Sequence, residues 1–392
     1  MSVVSRSRLA VSVLVSAVAI AGCSSSSSTP TPTSSATVAT STTMNATTTA
    51  ALQTVLDDAR ARSGAPGALA RIISPHGTWT GVSGTTAAGG TTKPQPTDHT
   101  RVGSLTKTMT ATVLLQLVQE GKVALDDPLG KYLPSAPNAT ATLRQVADMT
   151  SGIPSYTASN AFTDKYFAHP EQAWQPQQLV DVAKSMPPVF APGKGWQYSN
   201  TNYVLLGMVI EKVLDQPIDK VLSERLFGPL GMADTSFPGE STQIASPYLS
   251  GLTNQGQPAG RNADSTHWNP SMAFTAGAVI STLDDLQKWA AALFTGTGVL
   301  DAKTQQLRRD SILHSPPPNS PTAGYGIGIG DRGGWWGHDG DIPGYNSVLF
   351  HNYPTDTTVI VLTNTDNSTT IDGKPTPAAQ AIFASLSAAL PK

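Results

Sequence analysis

The hydrophobic positions of this chain change their period several times. From Leu9 to Ile20 they form an apolar run, interrupted only by Ser12 and Ser16, behind Arg6 and Arg8 and followed by Ala21, Gly22 and Cys23. A positive start, a short apolar stretch and small residues before a cut point are the pattern of a secretory signal. The run is shorter than the ~20 apolar residues of a membrane-spanning helix. Residues 24 to about 50 are then almost all Ser, Thr, Ala and Pro, a composition that buries too little apolar surface to fold. The pattern predicts a signal peptide over 1–22, a tether over 23–50 and a folded domain over 51–392.

Inside the domain, helical and strand periods alternate. Leu52, Val55, Leu56 and Ala59 predict a helix over Ala51–Arg62. Gly67–Ser74 and Thr78–Gly84 read as two strands around a Pro75-His76-Gly77 turn. Ser104 opens a strongly apolar helix through Val113, Leu114, Leu117 and Val118, stopped by Gly121. Further helices are predicted at Leu143–Met149, Gln177–Lys184, Tyr203–Leu214, Pro217–Leu226, Thr282–Phe294 and Ala378–Leu390, and strands at Tyr325–Ile329, Ser347–Asn352 and Thr358–Asn364. Strands thus gather at both ends of the domain. The expected fold is α/β (α+β): an antiparallel sheet flanked by helices and built from residues 51–107 and 270–392, with an all-helical lobe over 108–269 inserted between them.

Composition excludes some functions. With 25 basic residues against 27 acidic ones and a formal charge of −2, nothing marks a nucleic-acid binder. Cys23 is the only cysteine, so the chain forms no internal disulfide and no Cys-based zinc site. The seven histidines lack ligand spacing, and neither a metal nor an organic cofactor is expected. Gly328-x-Gly330-x-x-Gly333 matches a dinucleotide fingerprint but runs into Gly334-Trp335-Trp336-Gly337 rather than a helix, and reads as a turn between strands.

Three short motifs carry the chemistry: Ser104-Leu105-Thr106-Lys107, Tyr198-Ser199-Asn200 and His338-Asp339-Gly340. Three residues apart, the Ser104 hydroxyl and the Lys107 amine share a helix face. Serine is a poor nucleophile until a base takes its proton. Lys107 does so only if its pKa is depressed, by burial or by the positive helix start. Tyr198 as phenolate is the other candidate base, and as phenol a proton donor to the leaving group. Asn200 suits a hydrogen bond to Lys107 and to an acyl amide. His338 is expected on an edge strand that substrate pairs with, and Gly340 lets that strand approach closely.

These motifs, with Arg101-Val102-Gly103 before the first, Ser151-Gly152-Ile153 and Gly277-Ala278-Val279-Ile280-Ser281, resemble the serine D-alanyl-D-alanine carboxypeptidases and class C β-lactamases of the penicillin-binding superfamily. The resemblance runs over residues 51 to 390 and implies the two-lobed fold above. It also implies an acyl-enzyme on Ser104, an oxyanion hole from the N–H groups of Ser104 and Asp341, and Trp268 lining the substrate cleft. Expected substrates are D-alanyl cell-wall peptides, as for a carboxypeptidase. Esters, D-amino-acid amides and β-lactams are alternatives on the same core, and a non-catalytic peptide-binding module is the reading from another class. Ile20-Ala21-Gly22-Cys23 resembles a bacterial lipobox, implying a lipid on Cys23 and a place on the outer face of the cell membrane.

Two departures bear on substrate choice. Asp339 stands where the carboxypeptidases often have threonine, and Asp341 follows. Two carboxylates there repel a substrate's C-terminal carboxylate unless they point away or are neutralised. The Tyr325–Gly330 stretch also lacks the cation that binds that carboxylate in relatives, with Arg332 the nearest substitute. Trp335 and Trp336 are further candidates for the cleft lining, or for packing.

Overall fold

The computed structural model describes residues 43–371 and 373–390. The signal segment, Cys23 and most of the tether lie outside them. No helix among the described residues is long and apolar enough to cross a membrane.

The centre is a seven-stranded antiparallel sheet. From one edge its strands are Gly77–Gly84, Gly67–Ser74, Thr357–Thr363, Tyr345–Asn352, Trp335–Ile342, Gly330–Arg332 and Ala323–Tyr325. Alternating side chains point to opposite faces, and both faces are buried. Ala68, Ala70, Ile72, Val348, Phe350, Val359 and Val361 pack with Leu52, Leu56, Ile382 and Leu386 of the first and last helices. Leu69, Leu349, Ile360 and Leu362 face the other way, into the larger core that the remaining helices complete. The sheet therefore joins the two ends of the domain, and residues between its second and third strands in the sequence form the inserted lobe.

The central helix of that lobe, Thr106–Gln119, is buried from Thr106 through Leu115, which explains its apolar run. Its threonines bond backbone carbonyls, as with Thr110 Oγ1 to Thr275 O at 2.9 Å, so their burial leaves no hydroxyl unpaired. The Asn200–Leu214 helix packs beside it.

Several boundaries differ from those expected. The first helix is Ala46–Ser63, capped by Asn45 through a 2.9 Å bond from Thr48 N. Met44 is buried and Thr43 bridges to Thr78, so the folded unit begins inside the predicted tether. Ser104 lies in a 3₁₀ turn, Gly103–Leu105, leading into the helix. The strand expected at Tyr325–Ile329 ends at Tyr325; Gly328, at φ +69°, turns the chain before Gly330 begins the next strand. Pro217–Leu226 divides into the helix Ile218–Leu222 and a π turn, Ser223–Phe227. The inserted lobe also holds a two-stranded ribbon, Leu252–Thr253 with Ala263–Asp264, and so is not all helical.

Candidate active site

Gly103 and Gly340 let two backbone segments touch. Gly103 has φ +54°, and a Cβ there would lie 2.7 Å from Asp341 N. A Cβ on Gly340 would lie 2.0 Å from Val102 O. Ser347 Oγ bonds the same carbonyl at 2.7 Å. The close approach expected of Gly340 is thus between the Trp335–Ile342 strand and the turn that carries Ser104.

That strand is interior at one end and free at the other. Trp335, Trp336 and Gly337 pair with the Gly330–Arg332 strand; from His338 onward pairing is only with Tyr345–Asn352. The two-residue turn between Ile342 and Tyr345 makes these two a hydrogen-bonded pair. By alternation the N–H of Asp341 then points to the free edge, as Ser104's oxyanion partner would.

Lys107 is fully buried, and its Nζ has three contacts: Ser104 Oγ at 2.9 Å, Asn200 Oδ1 at 2.8 Å and the Ala276 carbonyl at 2.6 Å. Asn200 opens its helix, and its Nδ2 donates to Thr157 Oγ1 at 3.2 Å, which aims Oδ1 at Lys107. Burial lowers the Lys107 pKa well below its ordinary value, outweighing the opposing pull of Asp339. Tyr198 lies over the same amine, ring centroid 4.9 Å from Nζ. Removal from water raises its phenol well above the usual value, while the neighbouring Ser104 hydroxyl works the other way. One physical cause thus favours the neutral form of both groups.

His338 is 4% exposed and accepts from Tyr325 Oη at 2.9 Å on Nε2, while Nδ1 donates to the Asp339 carbonyl at 2.5 Å. This arrangement suits neutral imidazole, and burial pulls its pKa down to about 4. Tyr325 stands edge-on to Tyr198 at 6.0 Å and to His338 at 5.6 Å. Nothing in the sequence singled out Tyr325 or Thr157, because each acts through a partner distant along the chain.

Tyr198 separates two cavities. One, of about 260 Å³, is lined by Ser104, Tyr156, Thr157, Asn200, Gln255 and Asp341 among others. The other, about 230 Å³, is lined by Trp196, Tyr325, Arg332, His338 and Asp339. Ser104, Lys107, Tyr198, Asn200, His338, Gly340 and Asp341 are therefore brought together. Trp268 is not among the cavity-lining side chains; it packs edge-on against Tyr166 at 6.0 Å. Trp335 packs on Phe383 and Trp336 on Tyr353.

The two carboxylates have different surroundings. Asp339 pairs with Arg332 Nη2 at 2.7 Å and also accepts from Gln380 Nε2. Burial raises its pKa, but the Arg332 guanidinium outweighs that and holds it below the ordinary value. Asp341 is bonded only by neutral amides, Asn346 Nδ2 at 3.1 Å and Gln255 Nε2 at 3.3 Å. Among the described residues no cluster of His, Cys, Asp and Glu is suited to a metal.

The Beta-lactamase family model matches residues 52–382. A D-stereospecific amidohydrolase from Streptomyces sp. is similar in structure, with TM-score 0.75 and 35% identity over 86% of this chain and 97% of that one. So is the D-amino acid amidase of Ochrobactrum anthropi SV3 complexed with L-phenylalanine amide, with TM-score 0.76 and 29% identity over 88% and 98% of the two chains. The putative penicillin-binding protein PbpX of Bacillus subtilis (strain 168) is 27% identical over 271 residues, 68% of this chain and 62% of that protein. Protein flp of Staphylococcus aureus (strain N315) is 25% identical over 284 residues, covering 69% of this chain. The chain spans about half the length of the curated relatives it matches, 54% for flp.

Proposed function

The chain belongs to the beta-lactamase family and is a serine hydrolase of it, and on that premise we propose that Ser104 forms an acyl-enzyme with amides of the D-amino acid amide class. The observation that carries the mechanism is the set of three contacts at Lys107 Nζ. The Ala276 carbonyl and Asn200 Oδ1 can only accept; Ser104 Oγ alone can donate. A neutral amine has two N–H groups for the acceptors and one lone pair, which then faces the serine proton. Burial favours that neutral form.

Lys107 is accordingly the base. It takes the Ser104 proton as Oγ bonds the acyl carbon, and the oxyanion forms against the N–H groups of Ser104 and Asp341. Tyr198, kept as phenol, gives its proton to the leaving nitrogen as the C–N bond breaks, and the Lys107 ammonium restores that proton. Water, losing its proton to the same amine, then attacks the ester carbon, and the ammonium returns that proton to Ser104 Oγ as the acyl–oxygen bond breaks. Two neighbours whose pKa values are driven in opposite directions are suited to such a division of labour.

We assign the cavity lined by Tyr198, His338 and Arg332 to the leaving group, because Tyr198 supplies its proton, and this cavity favours a neutral one. Its one arginine, Arg332, is held by Asp339 at 2.7 Å and offers no free cation to a C-terminal carboxylate. This supports the amidase reading over the carboxypeptidase one, as do the names of the two similar structures. The test combines intact mass with turnover. A fluorophosphonate is expected to add to the wild type and not to Ser104→Ala, and D-amino acid amides are expected to release ammonia faster than D-alanyl-D-alanine peptides release D-alanine. No adduct, or faster peptide cleavage, would overturn it. We also propose, from the Ile20–Cys23 segment, that a lipid on Cys23 holds the enzyme to the outer face of the cell membrane.

A further inference from the structure

The cavity in front of Ser104 has a wall of carboxyl groups without a basic partner. Asp341 and Gln255 both line it. Gln255 Nε2 donates to Asp341 Oδ1 at 3.3 Å and to Asp366 Oδ2 at 2.7 Å, joining the two carboxylates. Asp366 is 5% exposed, and Thr253 Oγ1 donates to its Oδ2 at 2.7 Å. The remaining bond to Asp341 comes from the Asn346 amide. Among the described residues no Lys, Arg or His forms an ion pair with either acid, and no arginine or histidine lines this cavity. Asp339, two residues from Asp341, shows the contrast, since its charge is met by Arg332.

We propose that this wall, with Asp341 as the contact residue, binds the free α-ammonium of the substrate's acyl half. The enzyme then acts on amides of unblocked amino acids or on the amino-terminal residue of a peptide. The inference rests on the acyl-enzyme reading above. If the reacting carbonyl oxygen docks at the Asp341 N–H, the α-nitrogen, two bonds from the carbonyl carbon, lies within reach of the same residue's carboxylate. An ammonium brings three donors to a wall of acceptors, and a charged hydrogen bond there is stronger than a neutral one.

The titration of the wall agrees. Withdrawal of the carboxyl from water, then Asp366 and Asp339, raise Asp341 above its ordinary value, against the lowering effect of Asn346 and Gln255; the residue is exposed, and solvent screens the shift. Asp366 is also raised, mainly by burial. A bound cation relieves both.

The experiment compares three p-nitroanilides: D-phenylalanine, its N-acetyl derivative and the deamino 3-phenylpropanoyl compound. The wild type is expected to prefer the free amine in kcat/KM. In Asp341→Asn the ratio of free-amine to deamino turnover is expected to fall on the order of tenfold. Asp366→Asn, outside the cavity lining, lowers the same ratio and serves if the first variant does not fold. Equal wild-type rates on all three anilides overturn the proposal, as does an unchanged ratio in the folded variants. A fluorophosphonate adduct on Ser104 with no turnover of the free-amine anilide overturns it alone. Absence of both adduct and turnover overturns the hydrolase reading and this inference together.

Discussion

Lys107 Nζ stands 2.9 Å from Ser104 Oγ, and its other two contacts are with groups that can only accept a hydrogen bond. Only neutral lysine serves as base, so kcat/KM is expected to rise with pH as Lys107 loses its proton. Because burial depresses that pKa, the rise falls well below lysine's ordinary 10.5. Lys107→Arg, always protonated, should lose about 10²–10⁴-fold at every pH. A pH–rate profile that climbs only near lysine's ordinary pKa would reject the assignment.

The phenol of Tyr198 is expected to matter in proportion to the basicity of the leaving group. Tyr198→Phe should slow amide hydrolysis by about 10²–10⁴-fold, and cleavage of a p-nitrophenyl ester, whose leaving group needs no proton, much less. Equal losses on amide and ester would assign Tyr198 another role.

Freeing Arg332 should change the substrate preference. In Asp339→Thr the 2.7 Å ion pair is gone and the guanidinium can reach a C-terminal carboxylate. The ratio of D-alanyl-D-alanine peptide to D-amino acid amide turnover is expected to rise on the order of tenfold. An unchanged ratio in a competition assay counts against the leaving-group cavity as the determinant.

Gly340→Ala places a methyl 2.0 Å from the Val102 carbonyl, so the strand and the Ser104 turn must separate. We expect a loss of roughly 1–3 kcal/mol, as for overpacking, together with loss of activity. Chemical denaturation with linear extrapolation measures it; wild-type stability would mean that the two segments adjust freely.

Acid should destabilise the fold through His338. Its folded pKa, about 4, lies below its ordinary 6.5, so the unfolded chain binds more protons between the two. The contribution is full above about 6.5 and is lost as pH falls toward 4. Melting temperatures of the wild type should drop over this window more than those of His338→Gln; parallel curves would exclude His338 as the cause.

Much of the fold was legible because period and burial coincide. The two helices that pack on one sheet face carry apolar stripes, and Ala68, Ala70 and Ile72 alternate with Leu69. The helix Ala302–Asp310 went unforeseen because it carries no apolar stripe; it buries Thr304, Gln305 and Arg308 instead. The strand expected over Tyr325–Ile329 stopped early because Gly328 turns the chain, a backbone choice that hydrophobicity does not record.

The sequence alone picked out the candidate catalytic residues. Ser104 and Lys107 are one helical turn apart, so their meeting is a local matter, and Tyr198 and Asn200 share a single motif. Tertiary structure decided the rest. Whether Lys107 is neutral depends on Ala276, on Asn200 and on exclusion of water, all supplied by distant segments. Whether Asp339 and Asp341 repel substrate depends on Arg332, Gln380, Gln255 and Asp366, which the sheet, the ribbon and the closing helix bring beside them. Charge is written in the sequence, but its effect is set by what stands beside it, and neighbours across a sheet are fixed only when the chain folds.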